Sequence, residues 1–111
     1  MKHLPHKEDC FVEEQKIKEY LLNTTRMPGA AKAKFFQPFG FSSENWIQLA
    51  NALEQHGHTQ ELVHTIRSSY GTKYTITGPL TCPDGRTPII QTIWHVHTDA
   101  LAPRLITAYP I

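Results

Sequence analysis

Leu62-Val63-His64-Thr65-Ile66-Arg67, Ser69-Tyr70-Gly71-Thr72 and Lys73-Tyr74-Thr75-Ile76-Thr77 make up the stretch that decides the fold. Upstream of it apolar residues recur every three or four positions; within it the period changes to that of strands. The first piece reads as a strand and the second as a turn. The third alternates polar and apolar, as a half-buried strand does. Toward the C-terminus, Pro83-Asp84-Gly85 is a turn, because proline presets φ and glycine accepts a positive one. Ile89 to Val96 reads as a third strand, and Ala100 to Pro103 links it to the last. That last strand, Arg104-Leu105-Ile106-Thr107-Ala108-Tyr109, is rich in branched and aromatic residues and bounded by prolines.

Toward the N-terminus the chain reads as helices. In the span 43–56, Ser43 is placed to cap, Glu44 suits the positive end of the dipole, and Trp46, Leu49, Ala50 and Leu53 form one stripe that Gly57 closes. A short Ala-rich helix over 29–36 opens at Pro28-Gly29 and stops at Pro38 and Gly40. A first helix over 14–22 carries Ile17, Tyr20 and Leu21 at i, i+3, i+4 and ends at Asn23-Thr24-Thr25. Residues 1–11 read as a loose arm that ends in an extended piece, Cys10-Phe11-Val12. The order is three helices, then four strands with short connections. That order predicts an α+β fold in which N-terminal helices pack on a four-stranded antiparallel β-meander, one domain over 1–111. Trp46, Leu49, Leu53, Tyr74, Ile76 and Trp94 are the expected core.

Composition narrows the function classes. At 111 residues and 40% hydrophobic content the chain can bury one core and is not a disordered segment. A net charge of +1, with seven histidines counted neutral, supplies no strong field to draw in nucleic acid. Cys10 and Cys82 belong to no CxxC or Cys/His finger pattern, which excludes a zinc finger and leaves a disulfide between them open. The charged N-terminus has no apolar signal region, and no window is apolar enough to span a membrane. The expected location is the cytoplasm, with no membrane partner.

Several residues invite a chemical reading. Arg104 at the mouth of a strand can hold a phosphate by paired hydrogen bonds, or simply be solvated. Thr107 can bond a phosphate oxygen, or merely favour a strand; on a regular strand it and Arg104 face opposite ways, so a joint role requires a bulge. His95 is a candidate general base, with His64 and Lys73 weaker candidates on the neighbouring hairpin. Trp94, one position before His95, faces the core. His95-Val96-His97-Thr98-Asp99 also sets three potential ligands along one strand face, but no second cluster matches it, since His56 and His58 follow the end of a helix. No metal or other cofactor is expected.

The ordered set Lys16-Ile17-Lys18-Glu19-Tyr20-Leu21-Leu22-Asn23, Gly29-Ala30-Ala31-Lys32-Ala33-Lys34-Phe35-Phe36, Tyr70-Gly71-Thr72-Lys73-Tyr74, Trp94 and Pro103-Arg104-Leu105-Ile106-Thr107 resembles a bacterial family of unknown-function domains. Such domains occur alone or at the C-termini of polymorphic toxins. The layout also resembles the barnase–EndoU–colicin–RelE ribonuclease toxins, by fold analogy. The resemblance implies a toxin of a toxin–antitoxin pair that cleaves RNA without metal and is silenced by a small acidic antitoxin. It adds Lys32 to the candidates above, so that the catalytic set is Lys32, His95, Arg104 and Thr107, with Arg26, Lys34 and Lys73 as substrate-binding cations. Arg26 stands where the family pattern has a histidine, and a guanidinium cannot act as a base. The alternative from another class is a non-catalytic interaction module that binds a protein through a sheet edge or its basic helix.

Overall fold

Four strands, β1 (Glu61–Ser68), β2 (Gly71–Pro79), β3 (Ile89–His97) and β4 (Arg104–Pro110), lie in chain order and pair antiparallel throughout. This computed structural model describes residues 2–21 and 29–111; Arg26, Pro28 and the expected helix stop Asn23-Thr24-Thr25 lie outside the described residues. The strands run a residue or two longer than the sequence pattern predicts. The reason at the first hairpin is Gly71. It pairs with Ser68 and with His97, so the turn shrinks to Ser69 and Tyr70. Gly71 holds φ at +148°, and a Cβ there would collide with the Val96 carbonyl oxygen and with His95 Nε2. Only glycine fits at that point.

The helices cover one face of the sheet unequally. α1 is one α-turn, Glu14–Lys16, that continues as a π-turn over Ile17–Leu21, which differs from the regular helix expected over 14–22. Ile17 and Leu21 are both fully buried. α2 (Gly29–Phe36) packs on that π-turn and leads into a 3-10 turn, Gln37–Phe39. α3 (Trp46–Thr59), entered through a 3-10 turn at Ser43–Asn45, packs on β2 and β3 and is the main cover of the sheet. Its buried stripe is Leu49, Ala50, Leu53, His56 and Gly57, with Trp46 half-buried above it. α3 therefore runs past Gly57, which was expected to end it. A Cβ at Gly57 would lie 2.5 Å from Cζ2 of Trp94, so this glycine admits the indole rather than stopping the helix.

Leu49, Leu53, Ile76 and Trp94 are fully buried; Trp46 and Tyr74 pack against the core from its margin. One polar chain runs through this apolar layer. Trp94 Nε1–H donates to Thr92 Oγ1 at 2.9 Å, Thr92 Oγ1 lies 2.9 Å from His56 Nδ1, and His56 Nε2 lies 3.0 Å from the Gly78 carbonyl. A carbonyl only accepts, so Nε2 carries the proton, and Nδ1 accepts a hydrogen bond from the Thr92 hydroxyl. Every member is satisfied, and burial holds the His56 imidazole below histidine's usual pKa. His56 is thus a core residue inside α3, not one that follows a helix end.

The N-terminal segment, expected to hang loose, is packed. Leu4, Cys10 and Val12 are buried. The Leu62 N–H donates to the Lys2 carbonyl at β1, and at the far side of the sheet Phe11 forms a single parallel bridge to Arg104. Cys10 and Cys82 are free thiols, each pushed up to about 11, chiefly by burial. No helix among the described residues is long and apolar enough to cross a membrane.

Candidate active site

The strand β3 alternates Thr92 and Trp94 toward the helices with Ile93, His95 and His97 toward the opposite, uncovered face. β4 joins that face through a bulge. Ile93 pairs with Thr107 but Trp94 pairs with Leu105, which leaves Ile106 as the extra residue. Leu105 and Ala108, three apart, are consequently both buried. The same extra residue places Arg104 and Thr107 on one face, with His95.

His95 sits between two cations. It pairs with Lys73 of β2 on one side and with Arg104 of β4 on the other. Burial first, then the charges of Arg104, His97 and Lys73, hold its imidazole below the usual histidine value. It is therefore neutral at pH 7, the form a general base requires. The His97 ring meets the His95 ring edge to face, centroids 6.2 Å apart. A pocket of about 330 Å³ opens here, lined by Phe11, His95, His97, Ala100, Ala102 and Arg104.

Arg104 is steadied from the N-terminal segment. Its Nη1 donates to Glu13 Oε1 at 3.4 Å, with both side chains about half exposed (49% and 46%). The Phe11 N–H donates to the Pro103 carbonyl at 3.0 Å, and the Leu105 N–H donates to the Phe11 carbonyl at 3.1 Å. These bonds fix Phe11 and Glu13 beside the pocket. Neither residue stands out in the sequence, because the contact spans 91 positions and no local pattern marks it.

The other expected site residues lie elsewhere. Lys32 reaches the opposite end of β4, its Nζ 3.5 Å from the Ala108 carbonyl and 5.4 Å from the centre of the Tyr109 ring. Lys34 is exposed on α2, and neither lysine lines the pocket. Thr107 faces the right way, but its hydroxyl is covered and has no hydrogen-bond partner among the described residues. His64 lies on β1, opposite Thr75 and two strands from His95. No group of three His, Cys, Asp or Glu side chains among the described residues is placed to hold a metal ion. The Asp99 backbone N–H, rather than its carboxylate, meets His97, at Nδ1 and 3.3 Å.

The model of a domain of unknown function, DUF6883, matches residues 3–111. The chain belongs to that family. No curated protein matches its sequence. The DUF6883 fold is shared with a solved chain from a contact-dependent growth inhibition toxin–immunity protein complex of Klebsiella pneumoniae 342. The two agree with a TM-score of 0.74 at 17% identity, over 94% of this chain and 95% of that one. At that identity the likeness shows a common fold across nearly the whole of both chains.

Proposed function

We propose that this DUF6883 domain is a toxin module that cleaves RNA with its own side chains, at the open face of β3 and β4. The observation that carries the reading is the cross-strand pair of His95 and Arg104 beside an open pocket. RNA cleavage by this route needs a base for the ribose 2′-hydroxyl, a clamp for the phosphate and an acid for the departing oxygen. His95 takes the 2′-hydroxyl proton. The 2′-oxygen attacks phosphorus, and the bond to the 5′-oxygen breaks. Solvent water at the open pocket gives a proton to that oxygen, and the hydroxide left behind takes the proton held by His95, so that a 2′,3′-cyclic phosphate and a 5′-hydroxyl remain. Arg104 grips the non-bridging oxygens as charge builds, and Lys73 adds a second positive charge across His95. Lys32 and Lys34 serve as cations for neighbouring phosphates, outside the reacting centre; Arg26 is given a phosphate-binding role on its charge alone.

A module of this kind has to be silenced where it is made. The toxin–immunity complex that shares the fold supports a partner protein here too, and a surface of cations calls for an acidic one over Arg104 and His95. The test is incubation of the purified chain with total RNA in EDTA. Fragments ending in 2′,3′-cyclic phosphate, lost in His95→Ala, are the expected result. Intact RNA from a folded protein overturns the reading. One observation favours the second reading, an interaction module without catalysis. The edge strand β1 exposes Val63 and Ile66 by about half each (51% and 53%), a sheet edge that another chain can extend.

A further inference from the structure

The polar and apolar parts of the pocket are segregated, and the apolar part has no role in the chemistry above. We propose that Phe11, Ala100 and Ala102 form a nucleobase subsite, in which the ring of Phe11 is a stacking platform for the base next to the cleaved phosphate. The proposal rests on the RNA-cleaving reading and specifies which part of the substrate the pocket holds.

Four observations carry it. Phe11 is 40% exposed while its backbone is pinned by two hydrogen bonds; it bridges to Arg104 itself, so platform and clamp are neighbours on one ladder. The opposite wall comes from the turn after β3, where the Ala100 N–H bonds the His97 carbonyl at 2.9 Å and the Thr98 N–H bonds the Tyr70 carbonyl at 3.1 Å. To the pocket that turn presents Ala100 and Ala102, while the exposed Leu101 between them is not part of the lining. The volume, about 330 Å³, is at the small end of ligand sites and suits one flat heterocycle rather than a peptide or a duplex. His97 at the rim offers a ring nitrogen to the base's polar edge. Stacking on an aromatic face tolerates any base, so the subsite supplies affinity and register first and base preference second.

The test uses the full chain and three probes: adenosine 3′-monophosphate, cytidine 3′-monophosphate and ribose 5-phosphate, which has no base. Binding is followed by NMR at the Ala100 and Ala102 amides. The nucleotides should bind about 10- to 100-fold more tightly than ribose 5-phosphate, the margin one stacked base supplies. Phe11→Ala should erase that margin while phosphate binding persists. Ala102→Leu, which fills the pocket from the other wall, should do the same and decides the matter alone if Phe11→Ala disturbs the N-terminal segment. Equal binding of all three probes, or a margin that survives both substitutions, overturns the subsite. RNA cleavage by the same variants separates the two claims. Cleavage with unaltered KM in Phe11→Ala removes the subsite and leaves the ribonuclease reading. Base-dependent binding by a chain that cleaves no RNA keeps the subsite and removes the ribonuclease reading.

Discussion

Two faces of one strand do different work in this molecule. On the helix side of β3, Thr92 and Trp94 are sealed in a hydrogen-bonded chain that ends on His56 and the Gly78 carbonyl. On the other side, one residue along, His95 stands between Lys73 and Arg104 at the edge of an open pocket. Both His56 and His95 are kept neutral, but for different ends. His56 is buried and spends both ring nitrogens on protein partners, so its neutrality serves the fold. His95 is held neutral by burial together with neighbouring positive charge, and its ring lines an open pocket. A histidine's function thus depends on whether its hydrogen-bonding capacity is already used.

The contrast is easiest to break at its extremes. Trp94→Ala should cost about 3–5 kcal/mol, the usual result of emptying a large buried aromatic site, and it also removes the indole N–H that donates to Thr92 Oγ1. A chemical denaturation midpoint close to the native one would mean the inner face matters less than its burial implies. Arg104→Ala should do the reverse. Its exposed pair with Glu13 is worth roughly 0–1 kcal/mol, so Tm should barely move, whereas RNA cleavage should fall by about 10²–10³-fold. Equal losses of Tm and activity would make Arg104 a structural residue.

Gly57→Ala sharpens the comparison from within the helix layer. The added methyl meets the Trp94 indole, and overpacking of this kind costs about 1–3 kcal/mol. Calorimetry should show the loss, with the His95 pocket still able to bind phosphate. pH separates the two histidines in the same way. His56 is held below its unfolded value, so the unfolded chain binds the extra proton first as pH falls. Stability should accordingly be full above about pH 6.5 and decline below it, and His56→Gln should flatten that slope. The acid limb of kcat/KM, governed by His95, should fall below an ordinary histidine's value, since activity needs the neutral ring. The smallest effect expected is at Glu13→Gln. Loss of the carboxylate frees Arg104 for anions and should tighten inorganic phosphate binding several-fold, about what an exposed ion pair is worth.

The strands were legible because alternation is local. Lys73-Tyr74-Thr75-Ile76-Thr77 announces its buried face without help, and the stripe through Trp46, Leu49, Ala50 and Leu53 announces α3. The bulge was not, because Leu105, Ile106 and Thr107 are all good strand residues and nothing among them marks the extra one. Its consequence, Arg104 and Thr107 on one face, depends on pairing with β3. Gly57 shows the opposite error: a glycine near a helix end looks like a stop, and only the indole of Trp94 reveals why it is there. The pocket was half legible. His95 and Arg104 carry chemistry on their faces, whereas Phe11 and Glu13 acquire their place through a segment that reads as a loose arm and is held by backbone bonds to β4. Lys32 owed its expected role to a family pattern, and the fold takes it to the far end of that strand.

The division of labour across β3 is tested most directly by measuring thermal stability and RNA cleavage together in Thr92→Val and His95→Ala. Thr92→Val leaves the Trp94 N–H without an acceptor and His56 Nδ1 without a donor, at a cost of about 1–3 kcal/mol for each buried group. It should lower Tm clearly and leave kcat/KM near native at temperatures where the variant is folded. His95→Ala should hold its Tm and lose cleavage. Retained cleavage in His95→Ala, or lost cleavage in a folded Thr92→Val, would contradict the account.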